Sequence, residues 1–186
     1  MSQSHIILIR HGEASVGWAS HPDPGLSKKG RLQAKNTGKG LIDLISHYQL
    51  CSSPKKRALE TMEILNNKNR YPVKIDSNFI EIPSANIHEE KKNEWLMSIF
   101  TSPIEELPVT VTEWRNNLIH WLQNAEGNFI ITTHFMVINV LISSIINNNV
   151  ILYFHPDYAS RTEIFLKNGN LEQIILGDDK KTVINL

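Results

Sequence analysis

The sequence predicts an α/β fold, a three-layer αβα sandwich whose mainly parallel sheet carries an antiparallel edge hairpin. Three observations predict it. Short apolar, β-branched runs alternate with longer segments of helical character, the pattern of a parallel sheet covered by helices. Near the C-terminus two such runs flank Asn168-Gly169, a two-residue hairpin signal. A chain of 186 residues with no repeat, low-complexity tract or linker suits a single domain, 1–186, able to bury a sizeable core.

Residues 5–10 (HIILIR) read as the first buried strand, and the Gly- and Pro-bearing stretch after it as a loop. Ser27 is placed to cap a helix over residues 28–45, despite Gly30, Gly38 and Gly40. Residues 50–52 form a brief strand, and Pro54 suits the first turn of a helix reaching residue 66. A strand at 73–75 precedes a polar, irregular stretch over 77–93 that holds Glu81. Helices are expected at 94–100 and 111–124, separated by Pro103 and Pro108. The segment 77–126 should act as a partial lid that sets specificity. Residues 129–133 are the next strand, 135–147 the next helix, and 161–167 with 171–176 the terminal hairpin.

The apolar stretch 129–146 approaches membrane-spanning length, but Thr132, Thr133, His134, Asn139, Ser143 and Ser144 make it costly in lipid. A buried strand running into a buried helix explains it better. With 19 basic and 19 acidic residues the chain lacks the basic excess on which nucleic-acid or anionic-membrane binding relies. Cys51, the single cysteine, excludes an internal disulfide and a cysteine-based zinc site. It reads as a small packing residue rather than a reactive thiol. The apolar run 6–9 is too short for a signal peptide and ends in Arg10-His11, so a cytoplasmic protein is expected. Oligomeric state is not legible.

In open α/β sheets ligands bind beyond the carboxyl ends of the strands. Three strand ends carry unusual polar residues there: Arg10-His11-Gly12-Glu13, Ser52-Ser53-Pro54 with Arg57 one turn on, and His134. Two guanidinium forks and two imidazoles on one sheet edge make an anion-seeking pocket. Arg pairs bidentately with phosphate oxygens. A neutral imidazole is a competent nucleophile near neutral pH, and a second, protonated one can hydrogen-bond a phosphoryl group. A helix N-terminus before Arg57 adds donors, and Gly12 would let the backbone pass close to the bound group. The leaving oxygen needs a proton from an acid of raised pKa. Glu81, flanked by apolar neighbours, is the first candidate and Glu13 the second.

Leu8-Ile9-Arg10-His11-Gly12-Glu13 resembles the signature of the histidine phosphatase superfamily, the phosphoglycerate-mutase-like superfamily. Asp23-Pro24-Gly25-Leu26-Ser27 with Gly30 and Gln33-Ala34, Ser52-Ser53-Pro54 with Arg57-Ala58 and Thr61, Ile130-Ile131-Thr132-Thr133-His134, and the tail Gly177-Asp178-Asp179 are similar to its further segments, in order. The resemblance implies a phosphohistidine intermediate on His11, a phosphate pocket of Arg10, Arg57 and His134, and Glu81 as acid and then base. It implies no cofactor and no metal, because cationic side chains take over the metal's electrostatic role. Gly17 stands where many members carry Asn, Phe135 where many carry Gly or Ala, and Pro83 to Asn86 where the mutase branch often carries a tryptophan- and glycine-bearing patch. These departures favour a phosphatase over a phosphoglycerate mutase. A non-catalytic phosphate-binding or scaffold protein is the third alternative. The expected substrate is a small-molecule phosphate ester or a phosphorylated protein.

Competing readings exist for several residues. His134 could be a core histidine and Arg57 a solvated helix residue beside Lys55 and Lys56. Trp114 and Trp121, seven apart, suit a helix's core face better than an aromatic platform. His5, His21, His47, His88, His120 and His155 show no metal-ligand spacing, and the loop 155–160 borders the pocket without an assignable role.

Overall fold

The apolar runs become strands because alternate side chains enter two buried faces. The computed structural model describes residues 3–16, 22–67 and 70–184; Gly17 and His21 lie outside them. The strands are β1 (Gln3–Arg10), β2 (Gln49–Ser52), β3 (Val73–Ile75), β4 (Phe129–Thr133), β5 (Arg161–Lys167) and β6 (Asn170–Ile175). They form one sheet in the order β3-β2-β4-β1-β5-β6. Neighbours from β3 to β1 run parallel, and β5 and β6 add the antiparallel edge. Asn168 and Gly169, with φ of 51° and 77°, make the turn between the last two strands.

The helices are α1 (Lys28–Lys39), α2 (Lys56–Leu65), α3 (Glu89–Thr101), α4 (Val109–Gln123) and α5 (Phe135–Ile145). Ile7, Ile9, Leu50 and Ile130 pack on Leu41, Met62 and Leu65 on one side of the sheet. Ile6, Leu8, Cys51 and Ile131 pack on Leu96, Leu118 and Met136 on the other. This is the three-layer arrangement that the sequence predicts. Helix α5 is buried along nine of its eleven residues, which is why its sequence is apolar all round. Its one buried amide, Asn139, is held from both ends: Oδ1 accepts from Tyr153 and Phe154 N–H, and Nδ2 donates to the Phe135 carbonyl. No helix among the described residues is long and apolar enough to cross a membrane.

Three helix boundaries differ from expectation. Helix α1 stops at Lys39, capped by Gly40, because the closely spaced Gly38 and Gly40 weaken the helix end. A short 3-10 turn at Ile45–His47 replaces its expected last part. Helix α2 starts after Pro54, at Lys56, whose N–H is capped from a distance by the Asp23 carboxylate. Helix α3 begins five residues before the expected 94, at Glu89. Glu89 and Glu90 suit a helix N-terminus electrostatically, and their polarity hid the helix from an apolar-period reading.

Candidate active site

Strand register brings the polar strand ends together. Arg10 pairs with Thr133 across β1 and β4, and Ser52 with Thr132 across β2 and β4. The next residues continue the pairing, with His11 N–H donating to the Thr133 carbonyl at 2.9 Å and Ser53 N–H to the Thr132 carbonyl at 3.0 Å. Arg10, His11, Ser53 and His134 therefore leave three adjacent strands at one level. Helix α2 delivers Arg57 from its first turn. Arg10, His11, Arg57, Glu81 and His134 are each at most 3% exposed, which removes the solvated-helix reading of Arg57.

The local hydrogen bonds fix the tautomer of His11. Its Nδ1 lies 2.8 Å from the Gly12 carbonyl, which can only accept, so Nδ1 carries the proton. Nε2 then holds a lone pair and accepts from Arg57 Nε–H at 3.1 Å. Burial first, then the Arg57 and Arg10 charges, hold its pKa well below the ordinary imidazole value. Gly12 has a structural reason beyond the one expected for it. A Cβ there would lie 2.5 Å from the Gly30 carbonyl oxygen of α1, so the loop after β1 packs on α1 only with glycine at this point.

His134 sits 5.2 Å from His11 between ring centroids. Its Nε2 is 2.7 Å from Ser53 Oγ. The sequence reading gives this second imidazole a protonated form when it hydrogen-bonds a phosphoryl group. Burial and then the Arg57, His11, Lys55 and Arg10 charges hold its pKa well below the ordinary value. Two buried polar atoms at the site have no hydrogen-bond partner among the described residues, Arg10 Nε and His134 Nδ1. Buried polar atoms left unpaired call for an explanation.

Arg10 is held along its outer edge. Nη1 donates to the Pro156 carbonyl at 2.8 Å and to Thr182 Oγ1, and Nη2 to the Val183 carbonyl at 2.6 Å. Its guanidinium lies 4.1 Å from the Tyr158 ring centroid and 5.3 Å from that of Phe135, the residue at which many superfamily sequences are small. Tyr158 in turn donates to the Val183 carbonyl at 2.6 Å. Tyr158, Thr182 and Val183 are site components that sequence reading missed. The 155–160 loop was legible as a border, but a single tyrosine in a loop carries no spacing signal. Ser53 and Asp23 stood in recognised segments without a role; Asp23 lies 3.9 Å from Arg57.

Glu81 is a buried carboxyl at the start of α5. Its Oε1 accepts from Met136 N–H at 3.0 Å and from Ile82 N–H at 3.1 Å. Desolvation outweighs those donors and the Arg57 and Arg10 charges, raising its pKa to about 7. The chain before it is pinned by Trp114 Nε1–H donating to the Ile80 carbonyl at 3.0 Å and by Thr133 Oγ1–H donating to the Phe79 carbonyl at 2.9 Å. Trp114 thus positions this segment, while Trp121 packs edge-on against Phe79. Glu13 behaves differently. Hydrogen bonds from Lys29 and Ser27 lower its pKa, so it stays ionised as a partner of the α1 cap. Cys51 is buried and its thiol is pushed up to about 11, in keeping with a packing role.

Comparison with known proteins adds to this geometry. Residues 6–178 match the histidine phosphatase superfamily (branch 1). A 65-residue stretch is 46% identical to the mitochondrial serine/threonine-protein phosphatase Pgam5 of Drosophila mojavensis, covering 34% of this chain. The match spans only 22% of that relative's length. The 2,3-bisphosphoglycerate-dependent phosphoglycerate mutase of Thermoplasma acidophilum is 30% identical over 151 residues, 74% of each chain. The alpha-ribazole phosphatase of Shigella flexneri superposes with a TM-score of 0.71 over 97% of this chain and 100% of that one. At 20% identity that likeness is one of fold.

Proposed function

The chain belongs to the histidine phosphatase superfamily, and from that premise we propose that it is a metal-independent phosphatase of phosphate monoesters acting through a phosphohistidine on His11. The observation that carries the reading is the His11 ring. Its Nδ1 proton is committed to a backbone carbonyl, and its Nε2 lone pair faces a buried guanidinium. That is the form an imidazole nucleophile needs.

Each group then has a task. Arg57, Arg10 Nε and His134 Nδ1 take the phosphoryl oxygens, and Arg57 thereby releases His11 Nε2 for attack. The N–P bond forms as the P–O bond to the alcohol breaks, and the leaving oxygen takes the Glu81 proton. Water then attacks phosphorus and gives a proton to the Glu81 carboxylate. The N–P bond breaks, and phosphate leaves with the imidazole restored. Glu81, with a pKa of about 7, suits both directions of proton transfer. His134 begins neutral, and a bound phosphoryl dianion would favour its protonation.

A generic aryl phosphate assay in EDTA tests this. Wild type should release phosphate and His11→Ala should not; equal inactivity of both across the pH range would remove the catalytic reading. The Thermoplasma relative favours a second reading, a phosphoglycerate mutase. Conversion of 3-phosphoglycerate to 2-phosphoglycerate without net phosphate release would establish it in place of hydrolysis.

A further inference from the structure

The ring of His134 has one hydrogen-bond partner among the described residues, Ser53, whose Oγ lies 2.7 Å from Nε2. We propose that Ser53 is a positioning residue: its hydroxyl donates to His134 Nε2 and thereby holds the ring proton on Nδ1, the nitrogen offered to the phosphoryl group. The last clause rests on the phosphatase reading; the tautomer rests on the hydrogen bonds alone.

A neutral imidazole carries one proton, and the bond made by one nitrogen decides whether the other holds it. Burial and the surrounding cations keep this ring neutral, so the choice arises. If Nε2 held the proton, it would donate to Ser53 Oγ. The hydroxyl hydrogen would then have no acceptor among the described residues, because the other contact of Oγ is with a donor, the Lys55 N–H at 3.3 Å. Nδ1 would be left as a buried lone pair, also unmet. If Ser53 donates to Nε2 instead, Oγ still accepts from Lys55, and only the Nδ1–H is unmet. A buried polar group without a partner loses its hydration with no return, so the arrangement with one such group prevails over the arrangement with two.

The backbone holds Ser53 in place for this. Its N–H donates to the Thr132 carbonyl at 3.0 Å, two residues before His134, and the residue is fully buried. The two histidines of the site then carry their protons on the same ring position to opposite effect. His11 spends its Nδ1–H on the Gly12 carbonyl and keeps the Nε2 lone pair. His134 spends its Nε2 lone pair on Ser53 and keeps the Nδ1–H. One ring is left with a nucleophilic nitrogen and the other with a donor, and this donor exists without uptake of a second proton.

NMR of the histidine ring nitrogens reads the tautomer directly, with His134 assigned from the spectrum of His134→Gln. In ligand-free wild type at mildly alkaline pH, Nδ1 should show the shift of a protonated nitrogen and Nε2 that of an unprotonated one. Ser53→Ala should move the ring towards the Nε2–H form. It should also weaken binding of inorganic phosphate, measured by calorimetry, about tenfold. A wild-type ring with its proton on Nε2 would overturn the proposal, whatever Ser53→Ala does to folding. So would a Ser53→Ala protein with the wild-type tautomer, or with the wild-type affinity for phosphate. Failure of the protein to hydrolyse any ester would end the phosphatase reading and leave the tautomer result standing.

Discussion

His5 and His11 stand towards opposite ends of β1 and meet opposite surroundings. His5 Nε2 lies 2.6 Å from Glu163 Oε2, its Nδ1 2.6 Å from the Tyr48 hydroxyl, and its ring stacks on Phe165 with centroids 4.0 Å apart. Every polar atom of that ring has a partner, so the residue locks β1 to β5 and has nothing left to offer a ligand. His11 is flanked instead by two guanidinium groups. Burial lowers the pKa of both rings, but Glu163 opposes the shift at His5, whereas Arg57 and Arg10 deepen it at His11. At His5 the Glu163 charge outweighs that of Arg161, whereas at His11 two arginines meet no opposing carboxylate, and this sets the proposed nucleophile apart from a structural histidine.

The largest expected effect breaks that pair directly. His11→Ala should lower turnover by at least about 10⁴-fold, while the fold is retained by circular dichroism. His5→Ala should do the reverse, costing about 1–3 kcal/mol of stability and sparing the rate constant. Equal losses of activity in the two variants would void the distinction. Next comes Glu81→Gln, which should slow alkyl esters by about 10²–10⁴-fold and aryl phosphates far less, because good leaving groups need little protonation. In wild type the leaving-group step should weaken as pH rises through about 7, where Glu81 loses its proton. Arg57→Lys keeps the charge but loses the fork and the Nε donor, and should cost about 10²-fold in kcat. Trp114→Phe should be the mildest. Losing the bond to the Ile80 carbonyl should cost about 1 kcal/mol and lower kcat a few-fold, with KM held and the alkaline limb of the pH profile displaced.

Stability should carry the same signature. Glu81 binds its proton more tightly folded than unfolded, so its burial costs nothing below the ordinary value of 4.5 and destabilises progressively up to about 7. His11 and His134 bind theirs less tightly when folded, so they destabilise as pH falls below 6.5. Glu81→Gln should therefore raise Tm above neutrality and not in acid. A Tm gain independent of pH would show that the carboxyl is not held in this strained state.

Much of the site was legible because strand ends are local features. A β-branched run ending in Arg10-His11, or in Thr133-His134, announces both the strand and the edge where its ligand binds. The alternation of strand-like and helix-like segments made the layers legible, while the split of Ile6 and Leu8 from Ile7 and Ile9 between two cores shows only in the structure, because all four residues are apolar. Helix α3 was partly hidden, since Glu89 and Glu90 begin it without an apolar period. The partners of Arg10 were illegible for another reason. Pro156, Thr182 and Val183 lie 146 to 173 residues away in sequence, and chain closure over that range leaves no periodic trace.

The most direct measurement is on His11 itself. Wild-type protein mixed with an ester and quenched in alkali, where a phosphoryl–nitrogen bond survives, should yield one peptide heavier by a single phosphoryl group, with the label on His11. Steady hydrolysis of the same ester with His11 unmodified, or with the label on another residue, would contradict the account.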